Sequence, residues 1–150
     1  MMQVRQTPLH LWFVGVISLL WHAGGGFDYV SIQSGDADYL QMTAQSLGVG
    51  AEAVRTYFDG WPALIHATWA IGVWGGVLGS LLLMLRSRFA FHAFLASVAG
   101  TTVTFLYRMI DPLEGVQTSL GAVLMTVLIF AASVLLIRYS KLMTASGVLR

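Results

Sequence analysis

Residues 61–85 read WPALIHATWAIGVWGGVLGSLLLML, and this stretch decides the fold. It contains no Asp, Glu, Lys or Arg. A helix needs about 20 largely apolar residues to cross the hydrocarbon core of a bilayer, and this stretch is longer than that. Pro62 suits the first turn of a helix, where its missing N–H costs nothing. The stretch therefore predicts a transmembrane helix.

Three further stretches have the same character, at residues 8–25, 89–107 and 119–137, and none of them contains a charged residue. The composition agrees, since 57% of the 150 residues are hydrophobic and only 10% are charged. Soluble domains usually have about 25% charged residues. We therefore predict an all-α membrane protein, in which residues 1–150 form a single membrane domain built as a four-transmembrane-helix bundle.

The first stretch has an alternative interpretation as a secretory signal peptide. Arg5, the apolar run and the small residues Ala23-Gly24-Gly25 have the outline of a signal sequence with its cleavage site. Removal of this stretch would leave a protein with three spans. Two Trp and two His are also unusual in the apolar part of such a peptide, so we expect a retained helix. These four residues are His10, Trp12, Trp21 and His22.

The charged residues predict an orientation. Loops on the cytoplasmic side of a membrane are enriched in Lys and Arg. The segment 27–60 between the first two spans is instead rich in acids, with one Arg. Both termini are therefore expected to be cytoplasmic, in a multi-pass protein of the bacterial inner (plasma) membrane. Six of the eight basic residues then lie on the cytoplasmic side, namely Arg5, Arg86, Arg88, Arg138, Lys141 and Arg150.

The outer segment, residues 27–60, is expected to contain two short amphipathic helices. We expect Gly24-Gly25-Gly26 to end the first membrane helix before this segment. One short helix begins near Asp36, and the other covers residues 51–58. Such helices lie on a bilayer surface or cap a bundle. Their apolar side carries Tyr39, Leu40, Met42, Leu47, Val54, Tyr57 and Phe58.

Small residues recur every four positions in the second and third spans. Small side chains allow two helix backbones to approach closely, which drives helix association where lipid removes the hydrophobic effect. The pattern favours packing within one chain, and an interface between chains is the alternative. The helix-packing residues are Thr68, Gly72, Gly75, Gly76, Gly79 and Ser80 in the second span, and Ser97, Gly100 and Thr101 in the third.

The sequence offers no pattern typical of a catalytic site. There is no Cys, and we find no nucleophile–base pair, phosphate-binding loop or metal-ligand spacing. We therefore expect no enzyme activity, no cofactor and no metal, and the net charge of +1 argues against nucleic acid. Histidines leave haem binding as an alternative. We expect His22 and His66 near the outer face and His10 and His92 near the cytoplasmic face.

Four blocks of sequence carry a resemblance to a known family: LHLWFVGVISLLWHAGGGFDY at residues 9–29, DADYLQ at 36–41, WAIGVWGGVLGSLLLMLRSR at 69–88 and the terminal GVLR. The chain resembles, over nearly its whole length, an uncharacterised family of small four-span bacterial inner-membrane proteins. Some members carry the label "sugar transporter". The resemblance implies no catalytic or binding residue, and the family usually has Asn where His22 stands.

Three functions remain open at this point. The first, which we favour, is a non-enzymatic small subunit or scaffold that acts through helix packing, in a homo-oligomer or a larger membrane complex. The second is a small-solute (sugar-type) transporter that works as an oligomer, although the spans have no charged residue to couple ions. The third is a haem or redox membrane protein. The candidate polar pathway comprises Ser18, His22, His66, Thr104 and Thr126, with Thr68, Ser97 and Thr101 as further polar residues.

The charge asymmetry generates the first testable prediction. Reporter fusions at Ser87 and at the C-terminus should give cytoplasmic signals, and a fusion at Gly48 should give a periplasmic signal. The physical reason is that basic loops are retained on the cytoplasmic side during insertion. A cytoplasmic signal from the Gly48 fusion would reverse the orientation.

Overall fold

The computed structural model describes residues 7–150, which form six α-helices and no strand. Four of the helices are long and apolar enough to cross a membrane, so the fold is compatible with an integral membrane protein. The prediction of an all-helical chain with four long apolar helices is confirmed. Arg5 lies outside the described residues. The helices are α1 (Leu9–Ser34), α2 (Ala37–Leu47), α3 (Ala51–Asp59), α4 (Ala63–Met84), α5 (Ala90–Ile110) and α6 (Leu120–Ala145).

The first helix is longer than expected, and the predicted end at Gly24-Gly25-Gly26 is wrong. Each Gly in a helix costs only about 1 kcal/mol relative to Ala, and packing can offset that cost. Gly26 indeed lies against Trp74 of α4, where an added Cβ would be 3.8 Å from the indole. The helix ends at Ser34 and is capped by Gly35, whose φ of 68° allows its N–H to reach the carbonyl of Ile32. The segment between the long helices therefore starts at Gly35 instead of Phe27.

The fourth long helix also extends further than its apolar run. The prediction ended at residue 137, and α6 continues to Ala145. Arg138 and Lys141 are good helix formers, and their charges mark only where the apolar surface stops. Helices α4 and α5 end within three residues of the predicted spans 61–85 and 89–107.

Helices α4 and α5 pack against each other in antiparallel orientation with very close backbones. A Cβ added to Gly100 would overlap the carbonyl oxygen of Thr68 and lie 2.7 Å from the amide nitrogen of Gly72. One added to Gly72 would lie 2.8 Å from the hydroxyl oxygen of Thr101. One added to Gly79 would lie 2.7 Å from the ring of Phe94. Glycine is therefore required at these positions for the two helices to meet.

Helix α1 packs on another side of α4, also in antiparallel orientation. Near one end, a Cβ added to Gly15 would lie 2.6 Å from the side chain of Met84. At the other end, Gly26 meets Trp74. Two faces of α4 are thus in use, because Gly72, Gly75 and Gly79 face α5 while Gly76 and Ser80 face α1. The row of small residues spaced by four therefore crosses from one face to the other, because Thr68 and Gly72 face α5 while Gly76 and Ser80 face α1.

Helix α6 joins the other helices mainly near its C-terminal end. Its buried residues are Leu136 and Ser140. Leu136 belongs to an apolar cluster with Leu11 of α1 and Phe94 of α5. The N-terminal half of α6 exposes most of its large apolar side chains, although the ring of Phe130 contacts the ring of Phe105 on α5. The arrangement is three closely packed helices with α6 at the side of α5.

Helices α2 and α3 form a short hairpin between α1 and α4. The carboxylate of Asp36 caps α2 by accepting a hydrogen bond of 2.9 Å from the amide of Tyr39. Leu40 and Val54 are buried together with Ile32 of α1. The hydroxyl of Tyr39 donates a 2.7 Å hydrogen bond to Asp28, and burial, together with this carboxylate, raises the pKa of Tyr39 to about 12. The phenol therefore keeps its proton and holds α2 against α1.

The chain after α6 folds back onto the turn between α4 and α5. The amide of Arg150 donates to the carbonyl of Arg86 at 2.8 Å, and the amide of Arg88 donates to the carbonyl of Arg150 at 2.9 Å. Val148 and Leu149 are buried under the bundle. Arg86 adopts a left-handed φ of 59°, which closes the turn. These contacts fix the tail against the ends of α4 and α5.

The close approach of α4 and α5 yields a prediction with a matched control. Gly100→Ala should lower the free energy of unfolding by about 1–3 kcal/mol, because its methyl group overlaps the backbone of α4. Gly25→Ala makes the same change in α1, where nothing lies within 4 Å, and should be neutral or stabilising by up to about 1 kcal/mol. Thermal unfolding in detergent compares the two variants. Equal melting temperatures would contradict the packing.

Candidate functional site

The most polar site inside the long helices is formed by Ser18 and His22 of α1 and Ser80 of α4. The two hydroxyl oxygens, Ser18 Oγ and Ser80 Oγ, are 2.6 Å apart. His22 Nδ1 lies 2.8 Å from the carbonyl oxygen of Ser18 and 3.1 Å from Ser80 Oγ. The hydroxyl of Ser80 donates to the carbonyl of Gly76 at 2.8 Å. We name these three residues the Ser-His-Ser cluster.

Helical spacing and one glycine create this cluster. Ser18 and His22 are four residues apart on α1, and Gly76 and Ser80 are four apart on α4, so each pair lies on one helix face. A Cβ on Gly76 would overlap the imidazole of His22, so the glycine makes the space that the ring occupies. The ring of Phe94 on α5 lies 5.9 Å from the imidazole. The cluster thus lies where three helices meet, with both serines buried and His22 partly buried.

The depth of His22 differs from the prediction, which placed it near the outer end of its span. His22 lies beside Gly76, eight residues from the end of α4 at Met84, or about 12 Å along the helix axis. The error arose because α1 continues for nine residues beyond Gly25. His66 is ten residues further along α4, about 15 Å from the level of Gly76. These two histidines therefore do not share one membrane level.

The other histidines are also apart from each other. His10 Nδ1 lies 2.6 Å from the hydroxyl of Tyr139 on α6, while His92 is exposed at the start of α5. His66 is near Trp61, with ring centroids 5.9 Å apart, and its Nδ1 is buried without a hydrogen-bond partner. Within residues 7–150, no group of three or more His, Asp or Glu is arranged to hold a metal ion.

The hydrogen bonds define what the Ser-His-Ser cluster can do chemically. The carbonyl of Ser18 only accepts, so His22 Nδ1 carries the hydrogen and donates it. A nucleophilic serine requires a ring nitrogen that accepts its proton. Ser80 instead donates to the carbonyl of Gly76, and Ser18 is bonded to Ser80. The arrangement joins α1 to α4 through polar contacts and presents no serine poised for attack.

A second set of polar contacts joins α4 to α5. Thr68 Oγ1 and Thr104 Oγ1 are 3.2 Å apart, and each hydroxyl also contacts a carbonyl of its own helix at 3.0 Å. The hydroxyl of Ser97 donates to the carbonyl of Gly72 across the interface. Two of the acceptors, the carbonyls of Gly72 and Gly100, belong to glycines of the interface. The hydroxyls hold the interface together instead of facing an open space.

The candidate polar pathway is therefore divided among separate places in the fold. Ser18 and His22 lie between α1 and α4, and Thr104 lies between α4 and α5. His66 lies near the start of α4. Thr126 lies on α6, and its hydroxyl donates a 2.9 Å hydrogen bond to the carbonyl of Ala122 in the same helix. Of the five residues proposed for a pathway, only Ser18 and His22 are brought into contact.

An aromatic cluster surrounds the start of α4, and it includes Trp61, Trp69 and Tyr107, which the sequence predicts as part of an aromatic belt. Trp61 is 5% exposed, and its ring centroid is 4.8 to 5.8 Å from those of Tyr57, Phe58, Trp69 and Tyr107. The dense run of aromatic residues from 57 to 61, next to Pro62, is the signal that marks it. The cluster anchors α3 to the ends of α4 and α5. Burial raises the pKa of Tyr57, whose hydroxyl donates to the carbonyl of Asp111 at 2.7 Å.

The contact between Ser18 and Ser80 can be tested directly, because the native chain has no Cys. The double variant Ser18→Cys, Ser80→Cys should form an intramolecular disulfide under mild oxidation, since the native hydroxyls touch. Intact mass and loss of maleimide-reactive thiols measure the product. The control pair Ser18→Cys, Ser97→Cys places the second thiol on the α5 side of α4 and should stay reduced. Equal oxidation of both pairs would contradict the α1–α4 contact.

Comparison of the chain with protein-family models, with curated protein sequences and with solved structures finds no match. The resemblance to the small four-span family therefore stays a prediction.

Proposed function

We propose that this protein is a non-enzymatic small membrane subunit that binds a partner helix within the bilayer. The single observation that carries the proposal is the poorly covered N-terminal half of α6. Most of its large apolar side chains are exposed, and Leu120, Leu124 and Val127 are each more than half exposed. The neighbouring end of α5 adds Leu106, Met109 and Ile110. We name this surface the α5–α6 face.

The α5–α6 face is the proposed partner site because most of the small residues in the other long helices already pack within the chain. Close helix packing provides most of the association energy in lipid, so a partner needs a surface that is not already occupied. The glycine faces of α4 are covered by α1 and α5. Gly121 of α6 is open, because an added Cβ would meet only Ser119, at 3.8 Å. The α5–α6 face therefore offers both apolar side chains and a site of close backbone approach.

The charges support the orientation within the proposal. Arg86, Arg88 and Arg150 meet at one end of the long helices, where Lys141 of α6 also lies. All Asp and Glu residues fall in residues 28–59 and 111–114, toward the opposite end. We place the basic end in the cytoplasm, in keeping with the charge rule for loops, and the α2–α3 hairpin outside. The membrane would be the bacterial inner membrane.

The polar contacts favour a subunit over an enzyme. Catalysis needs groups that converge on a reacting atom in a water-controlled site. The hydroxyls of Ser18, Ser80 and Ser97 are bonded to one another or to carbonyls. They contribute to the packing of α4 with its two neighbours, which is the task expected of them in a scaffold.

One observation favours the second candidate, a small-solute transporter that works as an oligomer. His22 is an ionisable side chain at mid-helix, and such residues in membranes are usually functional. A pathway between copies would have to open this cluster. Proteoliposomes containing the purified protein decide between the candidates. Uptake of labelled monosaccharides no faster than in empty liposomes is expected for the subunit, and uptake that depends on His22 would favour the transporter.

The proposed partner surface predicts position-dependent cross-linking. The variant Leu124→Cys, on the α5–α6 face, should cross-link to another chain in native membranes because a partner helix covers it. Leu20→Cys is the control, since Leu20 of α1 is 70% exposed, compared with 58% for Leu124, and faces lipid in this proposal. Leu124→Cys should give at least about five times more product. Equal yields would contradict the proposal, and the product mass identifies a second 16.3 kDa copy or a different partner.

A further inference from the structure

A groove lies where the start of α5 meets the end of α6, away from the α5–α6 face. It has a volume of about 310 Å³ and opens toward the surface. The ring of Phe91 and the side chain of Ala145 contribute carbon to its walls. The hydroxyl of Thr144 is bonded to the carbonyl of Ser140 at 2.9 Å, so that residue too can present its methyl group. The groove is thus an apolar slot at the basic end of the molecule.

Cationic groups surround this apolar slot. Arg88, in the turn before α5, and Lys141 of α6 line it, with His92 beside them. All three are exposed. The helix α5 begins at Ala90, so the positive end of its dipole points to the same place. An apolar slot with a cationic rim is complementary to a molecule that has both a hydrocarbon chain and a negative head.

The positive charge continues around this end, to which no Asp or Glu side chain belongs. A neighbouring cavity of about 310 Å³ is lined by Leu85, Arg86, Ser87 and Arg150. Arg86 Nη2 is buried there without a hydrogen-bond partner. Within the described residues, the one carboxylate ion pair is between Arg55 and Asp59, 3.4 Å apart on α3. The basic end therefore has charge available for an external anion.

We propose that this groove binds an anionic glycerophospholipid. Its phosphate lies between Arg88 and Lys141, and an acyl chain runs along the seam between α5 and α6 past Phe91. Basic pockets between membrane helices at the cytoplasmic side are suited to such headgroups. A zwitterionic lipid would bring its own cationic group against the two side chains, and free phosphate would leave the apolar walls uncovered. The inference rests on the proposed insertion of the long helices in a bilayer.

The depth of the groove fits this ligand. Lys141 is about one helical turn beyond residue 137, where the charge-free run of α6 ends. Arg88 is next to Phe89, over whose ring its guanidinium lies 5.4 Å from the centroid. Both cations thus flank the ends of apolar stretches, at the level where lipid phosphates reside. The hydrocarbon of the lipid then follows the apolar stretches toward the middle of the bilayer.

The proposal is tested with the full chain in nanodiscs of phosphatidylcholine that contain increasing fractions of phosphatidylglycerol. Native mass spectrometry of the released protein counts bound phosphatidylglycerol, and thermal unfolding gives an apparent affinity. The wild type should retain one such lipid and melt at a higher temperature as its fraction rises. The double variant Arg88→Gln, Lys141→Gln should bind about 30-fold more weakly, because each basic side chain near an anionic headgroup contributes roughly fivefold.

Two controls make the result decisive. Arg55→Gln removes one exposed cation at the opposite end and should leave lipid retention unchanged. Ala145→Trp keeps every charge and fills the groove, so it should lower lipid retention because the acyl chain can no longer enter. This variant tests the proposal even if the double variant does not fold. Retention equal to wild type in the variants would overturn the proposal. An equal stabilisation by inorganic phosphate would also overturn it, because the site would then recognise only the anion.

Discussion

The rest of the fold depends on how closely the backbones of α4 and α5 approach at Gly72 and Gly100. Inside a bilayer, apolar side chains gain nothing from leaving lipid for protein, so helices must be held by dense packing and polar contacts. A Cβ on Gly100 would overlap the carbonyl of Thr68, which shows how little space separates the two helices. The same proximity lets Ser97 reach the carbonyl of Gly72. Glycine therefore contributes twice, by allowing contact and by exposing a backbone acceptor.

The central position of α4 follows from this constraint. Its small residues occupy two faces, so that α5 packs on one and α1 on the other. Polar side chains are placed where the small residues leave room, as His22 is beside Gly76. The one glycine of α6, Gly121, meets no other helix, and α6 is held mainly at one end through Leu136 and the tail residues Val148 and Leu149. The closest packing within the molecule thus occurs where glycines meet a neighbouring helix.

The sequence predicts the long helices well, because the length of an apolar run determines whether a segment can span a bilayer. It predicts their ends less well. Gly24-Gly25-Gly26 continues as helix because Gly26 packs against Trp74, a contact between distant residues that the local sequence does not reveal. The predicted position of His22 along the membrane was wrong for the same reason, because it depends on the register between α1 and α4. The sequence singles out Ser18, His22 and Ser80 as polar or small residues of the spans. Their contact with one another depends on the register between α1 and α4, which the local sequence does not determine.

The tail that follows α6 bears on the order in which the protein assembles. Residues 148–150 are synthesised after all four long helices, and the turn at Arg86 and Arg88 has no partner for its carbonyl and amide until they arrive. Val148 and Leu149 then cover Leu83 and Leu11, which come from the two helices made earlier. The hairpin of α4 and α5 can therefore form first, whereas the hydrogen bonds between its turn and Arg150 form last. Completion of the fold at this end thus requires the C-terminal end of α6 to lie on the same side as the turn between α4 and α5.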